Sequence, residues 1–497
     1  MNSSPEPMAS TSSHMPRPGW LAVAVLVVLV FAAVFLRLWG ISRESLDNDE
    51  IFSYRVATTS VSGAMHMIRE DLVHPPLFYY LVRFSVGVGG ANEFSLRFLS
   101  LAAAVGTIVL LVYMGYLFQQ FRIAAWLAAV LLALNNTHIY YSQQARSAAF
   151  FTLMVCALLC WSWSLIRYQR NSAFWCAGAG LMTLLVYTHY VGAVYVACVA
   201  AGVALGMRST PVAKRAVLAA SVAAVTFLPW IVSEYSVYLQ KKGLQENLGW
   251  TSSPSLYEVK LLAANYLGVP DIPGGTTIVF VLGCSAIAFG LLYRERTPLS
   301  RLVLSTLAFT AFVPPCLIFV LSQKPLSLPI FGERHLLPSI VSWLILAGYG
   351  VDRAAARFPV RARIPVFAAG AMVLVVLQIA PTRAAMRTAP RRLPYSDIAR
   401  DVDGPLPLYT TSGYDIGDPV NFYLRGRRRV ESLPGQPSVL PSVFTVMYRP
   451  AVGEENRKLT GLINSGWTVV EKQDYYNGIH SPAFVRAARL SRDPGSR

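Results

Sequence analysis

Acidic residues are scarce in this chain, 26 Asp and Glu among 497 residues, and all charged types together make up only 14%. Set against 54% hydrophobic residues, that scarcity is the balance of an integral membrane protein. Cysteine is missing wherever a disulfide or a thiolate metal site would need it. All six (Cys156, Cys160, Cys176, Cys198, Cys284 and Cys316) lie inside apolar runs, so no disulfide framework and no Cys-ligated metal is expected. A Gly-rich phosphate loop, zinc-ligand spacing and a nucleophile elbow are also absent. The net charge of +17 does not indicate nucleic-acid binding, because the basic residues are scattered over turns rather than gathered on one face.

What is present is apolar length. About eleven runs are long enough, or nearly so, to cross a bilayer of roughly 30 Å. They lie near 20–40, 96–118, 123–140, 148–166, 173–187, 191–207, 216–233, 276–293, 302–321, 336–351 and 364–380. The first is too long and too poor in small-residue cleavage signals for a removable signal peptide, and reads as a retained anchor. With the N-terminus inside, the inner loops collect most of the Arg and Lys, from Arg122 to Arg363. The short outer loops hold only Arg146, Lys324 and Arg334. The sequence therefore divides into a disordered cytoplasmic N-terminus (1–19), a transmembrane part (20–380) whose first outer loop is 41–95, and an extracytoplasmic tail (381–497). The tail is polar and punctuated by Pro and Gly. Strands are expected at 407–410, 442–447 and 467–470 and a helix at 454–465, which together predict a small α/β accessory domain.

The unusual polar segments all fall on the outer side. Asp47-Asn48-Asp49-Glu50 follows the first apolar run, and His74-Pro75-Pro76 follows it about two dozen residues later. Arg97, the stretch from Tyr140 through Gln143 to Arg146, Thr188-His189-Tyr190 and Glu333-Arg334-His335 complete the set. One-sided accumulation of ionisable groups beside a membrane suits an interfacial active site. Each segment also has a plain structural reading. Asp47 and Glu50 have the spacing of a capping box opening a helix over 48–58, which accounts less well for Asp49. His74 either belongs to a site or braces a loop, and Arg97 either binds substrate or snorkels to the interface. Residues 77–88 are apolar but short and interrupted by Arg83, and are expected to lie in the interface.

Taken in order, these motifs resemble bacterial glycosyltransferases of family 39. They are Asp49-Glu50, Asp71-x-x-His74-Pro75-Pro76-Leu77, Leu96-Arg97-Phe98-Leu99-Ser100, Tyr141-Ser142-Gln143-x-x-Arg146, Thr188-His189-Tyr190 and Arg334-His335-x-x-Pro338. That family has the GT-C fold and includes relatives of the protein O-mannosyltransferases and the lipid A aminoarabinose transferases. The resemblance covers about residues 20–350. It implies a polytopic α-helical enzyme in the inner membrane, with interfacial helices in the first outer loop, a polyprenyl-phosphate sugar as donor, and an extracytoplasmic lipid, glycan or protein as acceptor. The family's catalytic base carries over to Asp49. The long lumenal insert of the protein mannosyltransferases is missing, so protein O-mannosylation is not supported.

The chemistry makes the same demands. Transfer from a sugar phosphate needs a base for the acceptor proton and cations for the departing phosphate. Asp49 is expected as base, with Asp47 and Glu50 as supporting acids whose like charge makes it a stronger one. His74, Arg97, Gln143, Arg146, His189, Arg334 and His335 are the candidates for donor phosphate or substrate, the Arg forks of Arg146 and Arg334 above all. No cofactor is required and no metal site is expected. If a metal binds, Asp49 and Glu50 are the candidate ligands. One-step attack opposite the phosphate implies inversion. The rival classes are a transporter, which should show inverted repeats and midplane charges, and a non-enzymatic membrane assembly protein.

Overall fold

The computed structural model describes residues 20–42, 44–240, 253–268, 275–292, 297–324, 330–387, 393–476 and 484–492. The N-terminal segment expected to be disordered lies outside them, as do Arg294 and Arg296 of the inner loops.

The first part of the chain is helical: α1 (Trp20–Leu38), α2 (Asn48–Thr58), α3 (Val61–Asp71), α4 (Leu77–Gly89), α5 (Glu93–Leu117), α6 (Arg122–Leu134), α7 (Asn136–Ser142), α8 (Ala148–Tyr168), α9 (Ser172–Thr188) and α10 (Gly192–Met207). Then come α11 (Thr210–Gln240), α12 (Leu256–Tyr266), α13 (Gly275–Leu292), α14 (Pro298–Leu321), α15 (Glu333–Leu336), α16 (Ser339–Ala355) and α17 (Val360–Arg387). The apolar runs fall on helices, with 123–140 divided between α6 and α7 and 336–351 between α15 and α16. By length and composition alone, five helices among the described residues qualify to cross a membrane, and six if the pair bent by 64° at Asn135 is one span. The shorter runs, such as α9 and α10, fall below that length.

The bend has a local cause. Asn135 ends α6 and its side chain accepts the His138 N–H at 2.9 Å, capping α7. The carbonyls this leaves open at Leu132 and Ala133 accept from the buried Arg37 guanidinium at 3.0 and 3.1 Å. Close helix approach follows from small residues. A Cβ at Gly202 or Gly206 of α10 would sit 2.7 Å from Thr306 Cα or 2.6 Å from Leu302 Cα, both on α14.

Between α1 and α5 the chain folds into α2, α3 and α4. Asp47 caps α2, accepting the Glu50 N–H at 2.9 Å while Glu50 accepts the Asp47 N–H at 3.2 Å, the full reciprocal box. Leu72, at φ 57°, stops α3 and turns the chain toward His74.

The C-terminal part holds α18 (Tyr395–Asp401), β1 (Leu408–Thr410), α19 (Asp418–Leu424), β2 (Val430–Ser432), β3 (Val443–Tyr448), α20 (Gly453–Asn464), β4 (Thr468–Tyr476) and β5 (Phe484–Ser491). The sheet order is β2-β1-β3-β5-β4. β1 runs parallel to β2 and β3, while β5 is antiparallel to β3 and β4. Its side chains alternate between two cores. Met447, Val485 and Ala487 pack with α18 and α19; Phe444, Val446, Ala488 and Leu490 pack with α20 and Trp467.

Candidate active site

Asp49 stands in the first turn of α2 with its side chain 42% exposed. Its Oδ2 accepts from Arg334 Nη1 at 2.9 Å and forms a longer ion pair with Arg146 Nη2 at 3.5 Å. Arg334 belongs to the short α15; Arg146 lies in the turn before α8. Arg146 is largely buried and also donates to Tyr79 Oη at 3.3 Å. Burial acts to lower its pKa, but Asp49, Tyr79, Asp71 and Asp47 outweigh it and push the value above the ordinary one.

Glu50, one residue on, has the opposite surroundings. It is fully buried and forms a two-point ion pair with Arg97, Nε to Oε1 and Nη2 to Oε2, both at 2.8 Å. The Ala145 N–H adds a bond to Oε1 at 2.7 Å. With the Asp47 N–H, all four acceptor positions of the carboxylate are taken. Arg97 spends its remaining donors on the carbonyls of Ile41, Glu44 and Ser45. The expectation that Glu50 supports Asp49 by like charge is therefore corrected: its charge is matched by Arg97, and Asp49 is flanked by two guanidiniums. Arg97 is turned into the core and does not face a substrate. Asp47 is occupied as the cap of α2, and Gln143 donates to the carbonyls of Arg37 and Trp39 at 3.0 and 2.8 Å, closing the end of α1.

Beside the Asp49 cluster, three histidines from distant parts of the chain meet. His74, His189 and His335 are all buried, each offering a ring nitrogen, with these atoms within 4.8 Å of one another. Phe151 stacks on His189 at 4.8 Å with its ring nearly parallel. Burial first, and then Arg334 and Arg146, lowers the His189 pKa to about 3. His74 and His335 are also held well below the ordinary value, chiefly by burial. All three are neutral near pH 7.

The contacts restrict where their protons lie. His189 Nδ1 accepts the Val191 N–H at 3.1 Å, and His335 Nε2 accepts from Arg334 Nε at 3.3 Å. Each neutral ring would then need its proton on the other nitrogen, but those two nitrogens face each other at 2.9 Å, a contact that takes one N–H and one lone pair. The three contacts cannot all be hydrogen bonds at once, so one ring gives up its outer contact to make the inner one. His74 Nδ1, buried, has no hydrogen-bond partner among the described residues. Three neutral imidazoles offer lone pairs as well as N–H groups, whereas Glu50 has no oxygen left to join Asp49 as a metal ligand.

Of the expected site residues, the structure thus brings Asp49, Arg146, Arg334, His74, His189 and His335 together, and turns Asp47, Glu50, Arg97 and Gln143 to scaffolding. Tyr79 and Asn48 were not singled out from the sequence. Tyr79 sits one helical turn beyond the Pro75-Pro76 corner, and nothing in its local pattern marks it.

The chain matches no protein-family model and no curated protein in sequence. In structure it is similar to ArnT of Cupriavidus metallidurans in the apo state, with a TM-score of 0.61 at 15% identity over 95% of this chain and 99% of that one. The same protein bound to undecaprenyl phosphate gives a TM-score of 0.56 at 14% identity over 94% and 97%. The oligosaccharyltransferase of Archaeoglobus fulgidus in its apo form gives 0.53 at 14% identity over 84% of this chain and 66% of that one. ArnT, a lipid A aminoarabinose transferase, and the archaeal enzyme are both GT-C-fold glycosyltransferases. The chain shares that fold: a helical, multi-pass membrane part with a small sheet domain at its C-terminal end.

Proposed function

We propose that this protein is an inner-membrane glycosyltransferase that moves a sugar from a polyprenyl-phosphate donor to an acceptor on the extracytoplasmic side, with inversion. The observation that carries the proposal is the Asp49 carboxylate, half exposed, between Arg334 and Arg146 and beside three neutral, buried histidines. This pairs an accessible base with donors for a departing phosphate. The fold shared with a transferase solved with undecaprenyl phosphate supports the choice of donor class.

In the proposed reaction the donor phosphate takes guanidinium contacts from Arg334 and Arg146 that now close on Asp49. The released carboxylate accepts the proton of the acceptor hydroxyl or amine as its oxygen or nitrogen bonds to the anomeric carbon. The bond from that carbon to the phosphate oxygen breaks on the opposite side, and polyprenyl phosphate leaves with the electron pair. No step calls for a metal.

The test is turnover of purified protein with polyprenyl-phosphate sugars and envelope acceptors, read by mass spectrometry of the glycosylated product. Sugar transfer that disappears in Asp49→Asn supports the reading. A folded Asp49→Asn protein with normal turnover would move the base elsewhere.

A further inference from the structure

Helix α2 carries Asp49, and it is gripped from two sides. At about 100° per residue, Glu50, Ser53 and Ala57 form one stripe, and Asn48 and Arg55 lie roughly opposite. Asp49 projects from the flank between them. The first stripe is bonded into the helical part, through Glu50 to Arg97 and Ser53 Oγ to the Ala145 carbonyl at 2.8 Å. The second faces the C-terminal domain. Asn48 Nδ2 donates to Asp415 Oδ1 at 2.9 Å, and Arg55 Nη1 meets Asp418 Oδ2 at 2.9 Å. Tyr54 packs edge-on against Phe422 at 4.9 Å, and the Leu46 N–H donates to Tyr423 Oη at 2.8 Å just ahead of the cap.

Asp415 is itself braced. Its Oδ2 accepts from Ser412 Oγ at 3.1 Å and pairs with Arg449 at 2.7 Å, and Arg449 is tied to the buried Glu455. The contact thus runs from the neighbour of Asp49 into the frame of the C-terminal domain.

We infer that the C-terminal domain is a positioning element for the proposed base: through Asp415 and Asp418 it holds α2 against the helical part and sets where the Asp49 carboxylate points. This rests on the reading of Asp49 as base. An eleven-residue helix is short for independent stability, so its angle depends on what holds it on both sides. Misplacement of a reacting group by about 1 Å costs on the order of a hundredfold in rate.

The experiment uses the full-length protein with Asn48→Ala, Asp415→Ala, both together, and the exchange Arg55→Asp with Asp418→Arg. Amide hydrogen exchange over residues 48–58, donor affinity and turnover per donor-binding site are measured. Faster exchange confined to 48–58, roughly a ten- to hundredfold fall in turnover and unchanged donor affinity are expected. The double Ala variant should be no worse than the worse single one, because both remove the same contact. The charge exchange should recover what Arg55→Asp alone loses. Unchanged exchange over 48–58, additive losses, or loosened exchange with normal turnover would overturn the inference. Asn48→Ala keeps the test decisive if Asp415→Ala fails to fold. Asp49→Asn separates the two readings. It should lose turnover with 48–58 exchange unaltered, and if it keeps turnover the base assignment fails while exchange still reports the grip.

Discussion

Two carboxylates one residue apart, Asp49 and Glu50, each meet arginines, and the two meeting places could hardly differ more. Around Glu50 the pair with Arg97 is dry, two-pronged and saturated with further hydrogen bonds. Around Asp49 the carboxylate is 42% exposed and Arg334 30% exposed, held by single contacts that another anion can replace. The first arrangement cannot change partners without leaving a buried charge bare. The second can. Burial, not residue type, separates scaffold from chemistry here.

Breaking the buried side should have the largest effect. Glu50→Ala leaves Arg97 unpaired in the core and should cost about 3–5 kcal/mol, seen as loss of folded protein on size exclusion after detergent extraction. Replacing both partners by apolar residues should cost less than either single change. Next comes the exposed side. Asp49→Asn should lower turnover by roughly 10²–10⁴ with thermal unfolding unchanged. Equal destabilisation by the Asp49 and Glu50 variants would erase the contrast.

Smaller effects sharpen it. Arg334→Ala should weaken binding of the lipid-phosphate donor by roughly tenfold or more, and Arg334→Lys should restore only part of that, because a single ammonium lacks the planar fork. Donor affinity that ignores both variants would place the phosphate elsewhere. The last effect, small near neutral pH, is on pH dependence. His189 titrates near pH 3 when folded and about 6.5 when unfolded. Between those values the unfolded chain binds the extra proton, so folding stability is fully present above about pH 6.5 and falls as pH drops toward 3. His189→Gln should flatten that part of the stability curve, and turnover should show no inflection from this residue between pH 5 and 8.

Much of the fold was legible because its signals are local. Apolar runs located the helices, the Asp47 and Glu50 spacing marked the start of α2, and alternation found β1 and β3. The site was half legible. Residue types and their one-sided placement picked out Asp49, Arg146 and Arg334, but a run of three acids does not say which one faces inward. The i, i+3, i+7 stripe of Glu50, Ser53 and Ala57 holds that information only once its partner Arg97, 47 residues on, is in place. The histidine cluster joins residues separated by up to 146 positions between bonded members, beyond any local pattern. Nothing local marks Asp415 and Asp418, because their partners on α2 lie more than 360 residues away.

The buried Arg37 has a consequence for how the chain is made. Its two terminal guanidinium nitrogens donate to carbonyls at the broken end of α6, 95 and 96 residues later in the sequence. At roughly 5–20 residues per second, α1 leaves the ribosome about 5–20 s before those carbonyls exist. Through that interval the helix carries an unmatched cation at its end, which can reach the headgroup region but not settle into hydrocarbon. Docking of α6 withdraws it from the lipid, so the arrival of one helix completes the insertion of another that was synthesised well before it.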